Sequence, residues 1–218
     1  ETQALSAHNF HSYQPSQGHR LAHDPLNAIV GPRPIGWIST LSANGTANLA
    51  PYSFFNLFSY RPPIIGFCST GSKDSLANAR ETGEFVWNLV SRDLAEAMNQ
   101  SAAEVHERID EFALAGLDKL SSVDVRPPRV AASAVQFECR VTQIVQLQDV
   151  DARPIESWLV LGEAVHIHID PAHIVAGIYQ TSSPLPVVRG GGPVDYFEIT
   201  EDRRFEMARP RPQSGMER

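Results

Sequence analysis

The stretch Pro51 to Asn56 reads PYSFFN and sets Ser53 and Asn56 among the rings of Tyr52, Phe54 and Phe55. That mixture suits a flat heteroaromatic ligand, because apolar walls cover its faces while small polar side chains and backbone amides orient its heteroatoms. A plainer role is also open, with Phe54, Phe55 and Phe58 packed in a core and Ser53 and Asn56 capping a turn. Farther along, Ser69 to Ser75 reads STGSKDS. Here a strand ends in hydroxyl residues and a helix begins near Ser72. The free amides and dipole of a helix start, the hydroxyls of Thr70, Ser72 and Ser75, and the Lys73 ammonium together suit a phosphate. It is not a P-loop, since GxxxxGK[ST] is absent, and an ordinary helix cap beside a solvated lysine is the alternative. Together the two stretches describe a site with a planar ring at one end and a phosphate at the other.

Other reactive residue types carry less. His166 and His168 lie two apart in VHIHID and share one face of a strand, but no third metal ligand is evident, so no metal is expected. Cys68 sits between Phe67 and Ser69 in an apolar run and reads as a buried, inert thiol. GxSxG, HExxH and GxGxxG are all missing, and the glycines at 190 to 192 read as a loop.

The elements that must hold these residues are mostly strands. PIGWIST, ANLA, IIGFCS and EFVWNLV are short apolar or alternating runs bounded by turn residues. Asn44-Gly45 between the first two predicts a hairpin. Ser72 to Thr82 predicts a short helix opened by a capping serine and closed before Gly83. Leu94, Met98, Ala102, Val105 and Ile109 recur at spacings of three and four, which predicts one amphipathic helix or two short ones. AVQFECRVTQIVQL and SWLVLGEAVHIHID are long β runs, followed by a Ser, Pro and Gly loop. Many strands joined by hairpins, with few helices, favour an antiparallel barrel with helical insertions over a doubly wound sheet.

Length and composition bound the function. The 218 residues, 42% hydrophobic and 20% charged, suit one globular domain with decorations. The predicted organisation is an N-terminal arm at 1–24, anchored by Leu5, Phe10 and Tyr13, a barrel domain at 25–200 and a tail at 201–218. A net charge of −7 is the wrong sign for a nucleic-acid partner. Cys68 and Cys139 show no CxxC spacing, which suggests free thiols in a reducing compartment, and neither a membrane span nor an export signal is evident, so a cytoplasmic location is expected.

The run from GHRLAHDPLNAIVGPRPIGWIST through NLAPYSFFN to KDSLANARETGEFVWN, with RPPRVAASAVQFECR, GEAVHIHID and RGGGPVDYF later, resembles the flavin reductase-like family of FMN-binding split barrels. The resemblance spans Pro15 to Phe197 and is nearest to the branch of nitrilotriacetate monooxygenase reductase components and flavoredoxins. It implies a six-stranded antiparallel Greek-key barrel, mainly β, with helical insertions, and a homodimer with FMN near the subunit interface. By that resemblance Ser53, Phe54, Phe55 and Asn56 line the isoalloxazine, Ser39 and Thr40 approach the ribityl chain, and Ser69, Thr70, Lys73, Asp74 and Ser75 surround the phosphate. Arg33 and Trp37 belong to the same signature, with their roles open. Ser75 stands where many relatives carry Thr, and either supplies a hydroxyl. The implied activity is reduction of flavin by NADH or NADPH, with hydride passing from the nicotinamide to flavin N5 and reduced flavin serving a monooxygenase or another electron acceptor. The cofactor carries that chemistry, so no side chain need be an acid or base. Two rivals remain: an FMN-holding electron carrier that does not turn over NAD(P)H, and a pyridoxal-type phosphate oxidase on a related barrel, which the PYSFFN and KDS signatures disfavour.

Overall fold

The computed structural model describes residues 10–210 except 104, 107 and 108. Leu5 of the arm and Pro212 of the tail lie outside the described residues.

Seven strands form one antiparallel sheet: β1 (Gly36–Leu41), β2 (Ala47–Tyr52), β3 (Phe55–Tyr60), β4 (Pro63–Thr70), β5 (Glu84–Asn88), β6 (Val135–Gln148) and β7 (Pro154–Ile169). Their order across the sheet is β2-β1-β5-β6-β7-β4-β3. The sheet curls until its ends meet: Tyr52 of β2 packs on Phe67 of β4 with ring centroids 4.7 Å apart. This is a mainly β split barrel. It has one strand more than the six the resemblance implies, and PYSFFNLFSY spans the end of β2 and the whole of β3 with only Ser53 and Phe54 between them.

The hairpin between β1 and β2 forms as predicted, by a longer turn. Residues 42–46 make a five-residue loop closed by the Ser42 amide donating to the Thr46 carbonyl at 2.9 Å, and Gly45 alone takes a positive φ, +83°. Helix α1 (Asp74–Thr82) follows β4 and ends at Gly83 in the left-handed region, as expected. Its N-cap is Lys73 rather than Ser72, and no side chain caps it. The predicted helical run from Leu94 is shorter than its periodicity: α2 (Ala95–Gln100) buries Met98, but the chain then turns, and Ile109 is exposed before α3 (Glu111–Leu114).

Two apolar cores flank β1. Inside the barrel Ile38, Phe67, Phe85 and Val160 are fully buried, and α1 closes one end with Leu76 and Ala79. On the outer face Trp37 and Leu49 pack under Met98 and Phe112, so alternate residues of β1 enter different cores. Each such large side chain is worth roughly 1.5 to 3 kcal/mol of burial. The two cores position the ends of β2 and β4 and the start of α1 around one opening.

Candidate functional site

That opening is a cavity of about 450 Å³. Its walls are the β2–β3 junction with Tyr52, Ser53 and Phe54, the end of β4 with Cys68 and Thr70, and the start of α1 with Lys73, Asp74 and Ser75. The two stretches singled out by residue type therefore converge. The remaining wall comes from Ser101, Ala102, Ala103, Val105 and Glu111, which sequence reasoning missed. A signal existed only for part of it: Trp37, in a conspicuous motif, donates its indole N–H to Ser101 Oγ at 2.9 Å and so pins that segment to β1.

Other predicted residues stand back from the cavity. Ser39 is buried and donates to the Pro128 carbonyl at 2.6 Å. Thr40 lies beneath the site, where its Oγ1 accepts from Asn78 at 3.0 Å and from Asn48 at 3.3 Å. The Asn48 amide also donates to Ser75 Oγ at 2.8 Å, so Thr40 supports the wall through Asn48, another residue missed in the sequence. Ser69 is buried and donates to the Gly71 carbonyl at 2.9 Å. Phe55 stacks on Trp87, centroids 5.4 Å apart, as a packing residue. Asn56 is exposed, its Oδ1 accepting from the Leu57 amide at 2.8 Å, and it does not line this cavity.

The polar groups left over are informative. The Tyr52 hydroxyl is buried and makes no hydrogen bond of good geometry. Burial pushes its pKa up; the Ser75 and Ser69 hydroxyls near it oppose that shift without cancelling it. The first-turn amides of α1 have no side-chain cap, and Lys73 is exposed beside them. Against these donors stand Asp74 and Glu111. Glu111 is 5% exposed and accepts from the Leu49 amide at 3.1 Å; burial, with Asp74 and Asp110 adding to it, raises its pKa. Cys68, expected to be buried, is half-buried and lines the cavity as a free thiol whose pKa is raised by burial.

A model of the flavin reductase like domain matches residues 31–183, which include every cavity wall named above. The chain belongs to the flavin reductase like family. Among solved structures it is similar to nitrilotriacetate monooxygenase component B from Bacillus cereus, with 25% identity, a TM-score of 0.79, and coverage of 94% of this chain and 100% of that one. It is also similar to the 2-nitrobenzoate 2-nitroreductase NbaA of Pseudomonas fluorescens, at 28% identity and TM-score 0.75, covering 87% and 91%. Flavoredoxin of Desulfovibrio vulgaris (Miyazaki F) shares the fold at 18% identity and TM-score 0.70, covering 82% and 90%. Family and neighbours make this chain a flavin-related oxidoreductase.

The residues fit a flavin of that family. A buried tyrosine hydroxyl without a partner, an uncapped helix start, the Thr70 and Ser75 hydroxyls and a lysine form a donor set for a phosphate at one end. Ser53, Phe54 and Ala50 give an apolar and weakly polar wall at the other. The strand histidines serve elsewhere: His166 Nδ1 bonds Asp124 at 2.8 Å, His168 Nε2 bonds Glu138 at 2.7 Å, and the two rings stack. Among the described residues no helix is long and apolar enough to cross a membrane.

Proposed function

We propose that the protein is an FMN-binding NAD(P)H:flavin oxidoreductase that delivers reduced flavin to an acceptor such as a monooxygenase. The observation that carries this reading is the convergence of the uncapped α1 start with the Ser53–Phe54 junction on one cavity. Bound FMN would supply the redox chemistry, accepting two electrons from the reduced nicotinamide and passing them on. The chain's part is binding and alignment. Lys73, Thr70 and Ser75, with the α1 amides, would hold the phosphate, and the Tyr52 hydroxyl would gain the partner it lacks. Ser53 and Phe54 would orient the ring. Thr40 and Asn48 hold Ser75 in place from behind.

A reductase needs room for a second substrate beside the flavin, whereas a pure electron carrier does not. A second cavity of about 650 Å³ opens between the end of the N-terminal arm and the loop at 189–193, and Ser53 lines both cavities. Among the described residues neither the arm from residue 10 onward nor the loop fills it, which favours the reductase over the carrier.

The monooxygenase acceptor is suggested by the component B neighbour, and a homodimer by the family. β3 supports the dimer, since Leu57, Phe58 and Tyr60 are 51%, 54% and 75% exposed on one sheet edge. Sedimentation at micromolar protein tests it: a dimer is expected, and a monomer overturns it. For the activity, protein is mixed anaerobically with excess FMN and either NADH or NADPH. Bleaching of the oxidised-flavin absorbance over many equivalents is expected with at least one donor. FMN binding without bleaching by either would hand the site to the electron-carrier reading.

A further inference from the structure

The second cavity carries an unusual charge arrangement. Arg33 and Arg189 are direct cross-strand partners where Arg33–Pro34 pairs antiparallel with Val187–Arg189. Like charges placed directly opposite on a ladder repel, and a fold normally separates them or places a carboxylate between them. Here, among the described residues, no carboxylate lies within ion-pair distance of either guanidinium. Backbone carbonyls hold them instead. Arg33 donates to Asn27, Val30 and Ser53 carbonyls at 2.6, 2.5 and 3.1 Å, and Arg189 donates to Asp195 and Pro193 carbonyls at 2.7 and 2.9 Å. Neutral acceptors fix the two forks, with the Arg189 guanidinium also 4.9 Å over the Tyr196 ring, and leave neither arginine paired with a carboxylate. Desolvation, and then the Arg189 charge, lowers the pKa of Arg33.

The loop beside them packs closely on its neighbours. A Cβ on Gly191 would collide with the backbone of Ala28, and one on Gly192 with the Asp195 carboxylate. The triple glycine therefore lets the loop close against the 25–29 segment while keeping side chains off the cavity wall. Two carboxylates do face the space. Asp24 spends an oxygen on the Leu26 amide at 2.9 Å, and Asp195 lies against Gly192. They temper the field without pairing to the arginines. The arginine pair also adjoins the ring end of the first cavity: the Arg33 guanidinium lies 5.5 Å over the Phe54 ring.

We propose that the Arg33–Arg189 pair is an oxyanion subsite that takes the phosphoryl or carboxylate group of the molecule exchanging electrons with the flavin. Two rigid, braced guanidinium forks match such groups in geometry as well as charge. The place of this anion beside a bound flavin rests on the reading of the first cavity given above; the anion site itself does not.

The test is a calorimetric titration of the full chain, with and without FMN, using inorganic pyrophosphate, ADP and benzoate as probes. At least one is expected to bind in the millimolar range or tighter. Binding of pyrophosphate or ADP assigns a phosphoryl group, as carried by a dinucleotide; binding of benzoate alone assigns a carboxylate. Arg189→Gln should weaken the bound probe by about tenfold or more, the loss of a charge-assisted hydrogen bond, with FMN affinity unchanged. Asp195→Asn, which removes a negative charge and leaves both guanidiniums in place, should tighten it. That variant guards against a loop disturbed by the arginine change. Binding of none of the three probes, or binding indifferent to both substitutions, overturns the proposal. Failure of FMN to bind would instead overturn the flavin reading, because the anion titration is also run without it.

Discussion

Two polar regions of this molecule contrast sharply. Around Glu138 every group is answered: its buried carboxylate accepts from the amides of Val123 at 2.8 Å and Asp124 at 2.7 Å and from His168 at 2.7 Å, with Arg129 3.9 Å away. Burial alone would raise its pKa, but those amides and His168 outweigh burial and hold it below the ordinary carboxylate value. Around Ser75 the opposite holds. The helix start is uncapped, Lys73 faces solvent and the Tyr52 hydroxyl has no partner. Buried polar groups are costly unless satisfied, so a saturated cluster belongs to the fold and an unsaturated one points to a ligand.

The largest expected effect breaks the saturated side. Glu138→Ala should cost about 3 to 5 kcal/mol of stability by stranding buried partners, measured by denaturant unfolding, with FMN affinity of the folded fraction unchanged. The sign with pH follows from its depressed pKa: the carboxylate's contribution is present above the ordinary carboxylate range and is lost as pH falls through the lowered value. On the unsaturated side, Lys73→Ala should weaken FMN binding by about 1.5 to 3 kcal/mol while leaving stability nearly unchanged, since the side chain is exposed. A fluorescence titration with FMN checks it, and unchanged affinity would refute the phosphate assignment.

Tyr52→Phe sharpens the contrast within one hydroxyl. Removing an unpartnered buried group should leave the free protein as stable, or more stable by about 1 kcal/mol, yet loosen FMN by about 0.5 to 1.5 kcal/mol. Loss of stability without loss of affinity would place that hydroxyl in the fold instead. The smallest effect is expected from Glu111→Gln. A carboxyl whose pKa is raised contributes stability below its unfolded pKa and loses it as pH rises through the folded value. The variant should therefore melt slightly higher than the parent at pH 8, with the difference closing near pH 4; calorimetric melts at both pH values check this.

Much of the site was legible because its chemistry lies in two short stretches. Ser53, Phe54, Thr70, Lys73 and Ser75 have residue types that suit a ring and a phosphate, Asp74 was implied by the family resemblance, and all six line the cavity. The hairpin at Gly45 and the helix end at Gly83 were readable because backbone geometry there favours glycine. Most of what escaped depends on closure. β3 escaped for a different reason: its residues are mostly exposed without alternation, although it pairs with β4 in a local hairpin across Arg61 and Pro62. Asn48 and Glu111 reach the site through contacts distant in sequence, and the Arg33–Arg189 pair joins residues from the two ends of the barrel domain. The helical run after Leu94 kept its period past the point where Ser101, tied to Trp37, turns the chain.

The central claim is that the open donors at the start of α1 bind a phosphate. Comparing FMN with riboflavin tests it most directly, because the two ligands share the ring and ribityl chain and differ only in that group. The account predicts that FMN binds the parent at least about tenfold more tightly than riboflavin and that Lys73→Ala removes most of that preference. Equal affinity for the two flavins, in a parent protein that binds both, would contradict it.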